Sequence, residues 1–194
     1  MVDAIIFDFY GVLAINGWQA FKQKHFTDKP EKWNELYELG RQVDAGLAAY
    51  ETLVIRTAEA SGTSRDEVRF QLEHTVANDE LLAYIAASVK PKRKIGLLSN
   101  ASSNEALRAV LGEKRMQLFD AIVLSRDVGL TKPDVRMYQT MSEQLAVEPT
   151  RCLFVDDQER HCTGAREAGM HALLYADFDS FKREVTDYLA NSKD

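Results

Sequence analysis

The sequence predicts an α/β fold, a doubly wound and mainly parallel five-stranded sheet interrupted by a helical insertion, and three observations carry that prediction. Five short apolar runs have strand length and no polar alternation, as strands buried on both faces do. Segments of helical period separate the later runs, the pattern of successive βα units. The stretch from about residue 15 to residue 90 carries helical signals alone, far more chain than one βα connection needs.

The first run is Ala4 to Phe7. In the insertion, Trp33, Leu36, Tyr37, Gly40 and Val43 keep helical spacing, with Pro30 suited to a first turn. Ser64 to Glu67 has the form of a capping box ahead of Val68, Leu72 and Val76. Trp18, Trp33 and Tyr50 are expected to fill the core of this insertion. The uncharged apolar run Leu81 to Val89 is too short to span a membrane. Lys90 to Lys94 reads as a solvated basic turn into the second run, Ile95 to Leu98. Ala106, Leu107, Val110 and Leu111 then mark a helix, Ala121 to Leu124 a third strand, and Tyr138, Met141 and Leu145 another helix. Cys152 to Val155 and Ala172 to Tyr175 complete the sheet, and Phe178, Phe181, Val185, Tyr188 and Leu189 form a closing amphipathic helix. The expected division is a core of residues 1–14 and 91–194 with a helical cap over 15–90.

Composition bounds the function. The 194 residues are 45% hydrophobic and 28% charged, which excludes a disordered chain. Lys+Arg 24 against Asp+Glu 30 gives a net charge of -6, the wrong sign for wrapping nucleic acid or riding on anionic lipid. Cys152 and Cys162 lack metal-ligand spacing and are read as buried free thiols of a reducing compartment. Asp8 breaks the first apolar run, unlike a secretory signal. A cytoplasmic protein with a small-molecule partner is expected, with no nucleic acid, no membrane, and a monomeric or weakly dimeric state.

In open α/β sheets ligands bind beyond the carboxyl ends of the strands, and there the polar residues collect. The first run ends in Asp8, the second in Ser99 and Asn100, the third in Ser125, and the fourth in the adjacent carboxylates Asp156 and Asp157; Lys132 follows within Gly129 to Asp134. Packed carboxylates repel and raise one another's pKa unless a cation is shared. Mg²⁺ suits such a site, since it is held by one or two carboxylates with waters and substrate phosphate.

These segments resemble the four ordered motifs of the haloacid dehalogenase-like (HAD) hydrolase superfamily: Phe7-Asp8-Phe9-Tyr10-Gly11-Val12-Leu13, Leu98-Ser99-Asn100, Gly129 to Asp134 with Lys132, and Phe154-Val155-Asp156-Asp157. The resemblance spans essentially the whole chain and implies a Rossmann-like core with an inserted cap. Leu124 to Tyr138 and Leu153 to Met170 look most like the superfamily's small sugar-phosphate phosphatases. The resemblance implies a Mg²⁺-dependent phosphatase acting on a small phosphorylated metabolite, with Asp8 as nucleophile and an aspartyl-phosphate intermediate. It implies Mg²⁺ held by Asp8, the main-chain carbonyl of Tyr10 and Asp157, with Asp156 acting through a water. Ser99, Asn100 and Lys132 form the implied substrate-binding set, Ser99 and Lys132 on the transferring phosphoryl group and Asn100 orienting its loop.

One position departs from the pattern. Tyr10 stands where most phosphatases of the family carry a second, acid–base aspartate. A phenol can donate a proton, but at pH 7 only about one in a thousand is ionised, so it is a poor base. Two other readings therefore stand beside the phosphatase: a catalytically weakened binding or regulatory protein, and a metal-independent 2-haloacid dehalogenase, whose family members share this tyrosine and place an arginine, here Arg41, in the cap. His161 takes a position where relatives often have asparagine, and is expected to satisfy backbone groups at a helix start.

Overall fold

The computed structural model of the chain describes residues 2–44, 48–101 and 104–190. Five strands, β1 (Ala4–Phe7), β4 (Lys94–Ser99), β5 (Ala121–Leu124), β6 (Cys152–Asp156) and β7 (His171–Leu174), form a parallel sheet in the order β5-β4-β1-β6-β7. Side chains alternate across each strand, so the uninterrupted apolar runs feed two cores. Ile5, Phe7, Leu97, Leu153 and Val155 pack on one face with helices α5 (Asp79–Tyr84), α6 (Asn104–Met116) and α10 (Phe178–Ala190), through Leu81, Leu107, Leu111, Phe181 and Val185. Ala4, Ile6, Leu98, Cys152 and Phe154 pack on the other with α8 (Val135–Leu145) and α9 (Glu159–Glu167), through Met137, Tyr138, Met141 and Ala165. The expected doubly wound sheet is what the chain builds. A short helix, α7 (Ser125–Val128), follows β5.

Register sets up the site. Phe7 pairs with Leu97 on one side and Val155 on the other, so Asp8 emerges level with Asp156, its amide donating to the Val155 carbonyl at 2.9 Å. The chain proceeds from β1 to β4 and β5 in one direction, then crosses to β6 and β7. The order therefore reverses between β1 and β6, the switch point at which such sheets bind ligands.

Ile15–Val76 forms a second compact unit, the sheet unit comprising Met1–Ala14 and Ala77–Asp194. Its helices are α1 (Gly17–Phe26), α2 (Pro30–Asp44), α3 (Tyr50–Ser61) and α4 (Arg65–Glu73), around Phe21, Phe26, Trp33, Leu36, Val54 and Val68. Trp33 is the hub, its ring 4.6 Å from Trp18 and 5.6 Å from Phe26. Ser64 caps α4 as expected, its Oγ accepting the Glu67 amide at 3.1 Å. Strands β2 (Ala14–Asn16) and β3 (Thr75–Ala77) pair where the chain enters and leaves this unit.

Three expectations are corrected. Residues 77–90 belong to the sheet unit, because Leu81, Leu82, Ile85 and Val89 are buried in the core built on Ile5 and Phe7. Val76 lies in β3 rather than in the helix of Val68 and Leu72, which stops at Glu73. Tyr50 is exposed, its hydroxyl donating to Glu73 at 3.2 Å, and does not fill a core. Arg41 lies in α2, with its side chain outside those described. No helix among the described residues is long and apolar enough to cross a membrane.

Candidate active site

The site is assembled where β1, β4 and β6 end, within the sheet unit. Asp8 follows β1 directly and is buried, its Oδ1 accepting the Phe9 amide at 2.6 Å. The chain then turns back, the Ala14 amide donating to the Phe9 carbonyl at 2.7 Å and the Gly11 amide to the Ala14 carbonyl at 2.8 Å. Gly11 has φ +87°, and a Cβ there would collide with the Asp157 carboxylate. Glycine is thus required twice over, for the backbone angle and for the approach of Asp157.

Lys132 is the centre of the charge arrangement. Its ammonium is buried, 2.7 Å from Asp8 Oδ1 and 2.6 Å from Asp156 Oδ2. Asp8, Asp156 and His161 present ligand atoms within 4.8 Å of one another, and the cation seated between the two carboxylates is this lysine. Asn100 fixes the lysine's backbone from β4, its Oδ1 accepting the Lys132 amide at 2.8 Å and its Nδ2 donating to the Lys132 carbonyl at 3.2 Å. With both ends of its amide so committed, Asn100 has the geometry of a loop-positioning group. The Lys132–Pro133 peptide is cis. Gly164 of α9 lies against Pro133, where a Cβ would overlap the Pro133 carbonyl, so α9 seats closely on the lysine loop.

The adjacent carboxylates of β6 have opposite fates. Asp156 is fully buried, and its Oδ1 accepts the Gln158 amide at 2.9 Å. His161 Nδ1 stands 3.0 Å and 3.1 Å from its two oxygens. Asp157 is exposed at the strand end, beside Gly11. Ser99 is buried at the end of β4, its Oγ accepting the Ala101 amide at 3.2 Å and keeping a hydroxyl proton to donate. Ser125 donates to the Ala101 carbonyl at 3.3 Å, bracing the same loop. The Tyr10 ring is half exposed and meets Phe9 edge-on.

Burial pushes the Asp8 carboxyl up to about 7, Lys132 opposing and the charge of Asp156 adding. Burial acts in the same sense on Asp156, but Lys132 and the donors around it prevail and hold that group below the usual carboxylate range. Asp157, although exposed at the strand end, is raised by the partial desolvation of its carboxyl against the surrounding protein and by the charge of Asp156 beside it. His161 is lowered by burial against the pull of Asp156, a direction that favours the neutral ring. The result is a buried, cation-bridged pair of carboxylates with a third carboxylate at the rim.

The sequence did not disclose the role of His161. It lies in the first turn of α9, but its imidazole binds the Asp156 side chain instead of backbone groups. The available signal was its spacing from Asp156, which returns a first-turn side chain toward the strand end.

A parallel sheet with buried carboxylates and a lysine at its switch point defines a hydrolase-like α/β site. The model of the haloacid dehalogenase-like hydrolases matches residues 2–169, and the chain belongs to that family. Phosphatase MT3486 of Mycobacterium tuberculosis is 28% identical over 190 residues, covering 89% of this chain and 87% of that protein. The (S)-2-haloacid dehalogenase H-109 of Pseudomonas putida is 24% identical over 187 residues, covering 87% and 83%. A HAD family enzyme of Bacteroides thetaiotaomicron, solved with magnesium and inorganic phosphate, superposes with a TM-score of 0.57 at 20% identity, covering 93% of this chain and 99% of its own.

Proposed function

We propose that this HAD-like hydrolase is a Mg²⁺-dependent phosphatase of small phosphorylated metabolites, sugar phosphates among them, with Asp8 as the nucleophile. The observation that carries the reading is the buried Lys132 ammonium shared by Asp8 and Asp156 while Asp157 stands exposed beside Gly11. That arrangement fits a magnesium ion by the chemistry of its donors. Asp8 and Asp157 offer hard carboxylate oxygens, with the Tyr10 carbonyl as the third protein ligand, whereas Asp156 is already saturated by Lys132, Gln158 and His161. When bound, the ion offsets the repulsion between carboxylate and phosphate.

The chain's own residues supply the rest. Asp8 attacks phosphorus, the P–O bond to the leaving group breaks, and the aspartyl-phosphate is then hydrolysed by water. Lys132, held to Asp8 by 2.7 Å, places positive charge where phosphoryl oxygens gather negative charge. The Ser99 hydroxyl donates to the same group. Tyr10 replaces the usual acid–base aspartate and offers a proton to the leaving oxygen, which accelerates bond cleavage more than it accelerates hydrolysis of the intermediate.

Phosphate release from an aryl phosphate and a panel of sugar phosphates tests this, with Mg²⁺ or chelator. Release requiring both the ion and Asp8 is expected. Gain of activity in Tyr10→Asp over a silent wild type supports instead a binding or regulatory protein. Tyr10 and the dehalogenase-named relative favour a second reading, which halide release from a 2-haloacid in the presence of chelator would establish.

A further inference from the structure

A carboxylate can only accept, so the His161 nitrogen facing both oxygens of Asp156 at 3.0 Å and 3.1 Å carries the proton. The ring is nearly inaccessible, and its Nε2 is buried without a hydrogen-bond partner among the described residues. A neutral imidazole with the proton on Nδ1 satisfies both facts, because its bare nitrogen needs no acceptor. Among the described residues the ring has one polar partner, and that partner is Asp156.

The backbone around His161 is braced for this. Its carbonyl accepts the Tyr138 hydroxyl at 2.8 Å, and Gly164 one turn later lies against Pro133 beside Lys132. A continuous chain of contacts therefore runs from α9 through His161 Nδ1, the Asp156 carboxylate and the Lys132 ammonium to Asp8 Oδ1. The Lys132 ammonium sits between two carboxylates at nearly equal distance, so its place depends on how Asp156 is turned. The Gln158 amide holds Oδ1 and Lys132 itself holds Oδ2, so the contacts that orient the carboxylate independently of the lysine are that amide and His161, which meets both oxygens.

We propose that His161 is a positioning residue: its Nδ1–H fixes the orientation of Asp156, and through it the point at which the Lys132 ammonium meets Asp8. The proposal rests on the phosphatase reading only for its consequence on turnover. Displacing Lys132 toward Asp156 moves positive charge away from the reacting phosphoryl group without removing the binding surface. The effect therefore falls on kcat more than on KM.

Two measurements decide it. The first needs no turnover: long-range proton–nitrogen correlation on protein labelled with ¹⁵N-histidine, the signal identified among the 4 histidines by its loss in His161→Asn. A protonated Nδ1 at neutral pH supports the proposal, and a bare Nδ1 overturns it. The second compares His161→Asn, His161→Gln and His161→Leu for Mg²⁺-dependent release from an aryl phosphate, with unfolding midpoints alongside. Asparagine presents an amide N–H at nearly the reach of Nδ1, glutamine carries its amide one carbon further, and leucine has no donor. Asparagine should keep kcat near wild type, while the other two lose up to about 100-fold in kcat at unchanged KM, the scale of an ångström-level misplacement. Equal kcat in the asparagine and glutamine variants, or a loss confined to KM, overturns the proposal. A wild type that releases no phosphate defeats the phosphatase reading and leaves the nitrogen spectrum to decide this one.

Discussion

The two units of the chain bury different things. Among the described residues, every buried charged side chain lies in the sheet unit: Asp8, Lys132 and Asp156, with His161 beside them. The helical unit buries aromatic rings and aliphatic groups around Trp33, and of its described polar side chains only Thr57. Burying a charge is costly unless it is paired and hydrogen-bonded, so a fold retains such a group where chemistry needs it. Aromatic and aliphatic burial, by contrast, stabilises and says nothing about a reaction. The contrast explains why the sequence points to a reaction type at one set of strand ends while leaving the particular substrate open.

The largest effect that would break this contrast is loss of the proposed nucleophile. Asp8→Asn keeps a polar group of nearly the same shape, and Lys132 retains Asp156, so the fold should survive. Mg²⁺-dependent phosphate release should fall by about 10⁴-fold or more, the scale of removing a covalent nucleophile. Residual release above a hundredth of wild type, in protein free of contaminating phosphatase, would remove Asp8 from that role.

Next comes Lys132→Met. It removes the ammonium that two buried carboxylates share and should destabilise the folded state by about 3–5 kcal/mol, as breaking a buried pair does. Activity should fall with it. Adding Asp156→Asn to the same chain removes one stranded charge and should recover part of the stability but none of the activity, measurable by urea unfolding and phosphate release together. A double variant no more stable than Lys132→Met would mean that Asp156 is not the charge Lys132 compensates.

These outcomes also show what the sequence could and could not disclose. The strands at Ala4–Phe7 and Ala121–Leu124 were legible because both faces of each are covered, which leaves an unbroken apolar run. Asp8 and Asp156 were legible as strand-end carboxylates. That one Lys132 ammonium bridges both of them was not legible, because residues 8, 132 and 156 meet only once the sheet order is set. The border of the helical unit was misplaced for a related reason: Leu81 to Val89 has the same helical spacing whether it packs on helices or on a sheet, and only the tertiary fold chooses. Gly11 stood in the first motif without the reason for it, since its left-handed backbone and its closeness to Asp157 exist only in the folded chain.

A third substitution reads the helical unit by itself. Both tryptophans, Trp18 and Trp33, lie within Ile15–Val76, and both cysteines are buried in the sheet unit. Burial pushes the Cys152 thiol up to about 12 and the Cys162 thiol up to about 11, so neither reacts as a thiolate while the sheet is folded. Tryptophan fluorescence and thiol labelling thus follow one unit each. Leu36→Ala opens a cavity beside Trp33 and should cost about 2–4 kcal/mol, seen as a lower urea midpoint of fluorescence. A fluorescence midpoint unchanged from wild type would mean that the aromatic cluster repacks around the smaller side chain.

The smallest effect lies at the start of α4. Ser64 has extended backbone, φ -76° and ψ 154°, and its Oγ takes the Glu67 amide, one of the donors that a helix start leaves without an intrahelical partner. Ser64→Ala should cost about 1 kcal/mol, and Ser64→Asp should restore it, because aspartate accepts the same bond and its charge suits the positive end of the helix. Phosphate release from an aryl phosphate should be the same in all three proteins while the fluorescence midpoint moves. That result would place the capping box among the features that hold the helical unit together, apart from those that do chemistry. A change in kcat with an unmoved midpoint would reverse the assignment and give α4 a part in turnover.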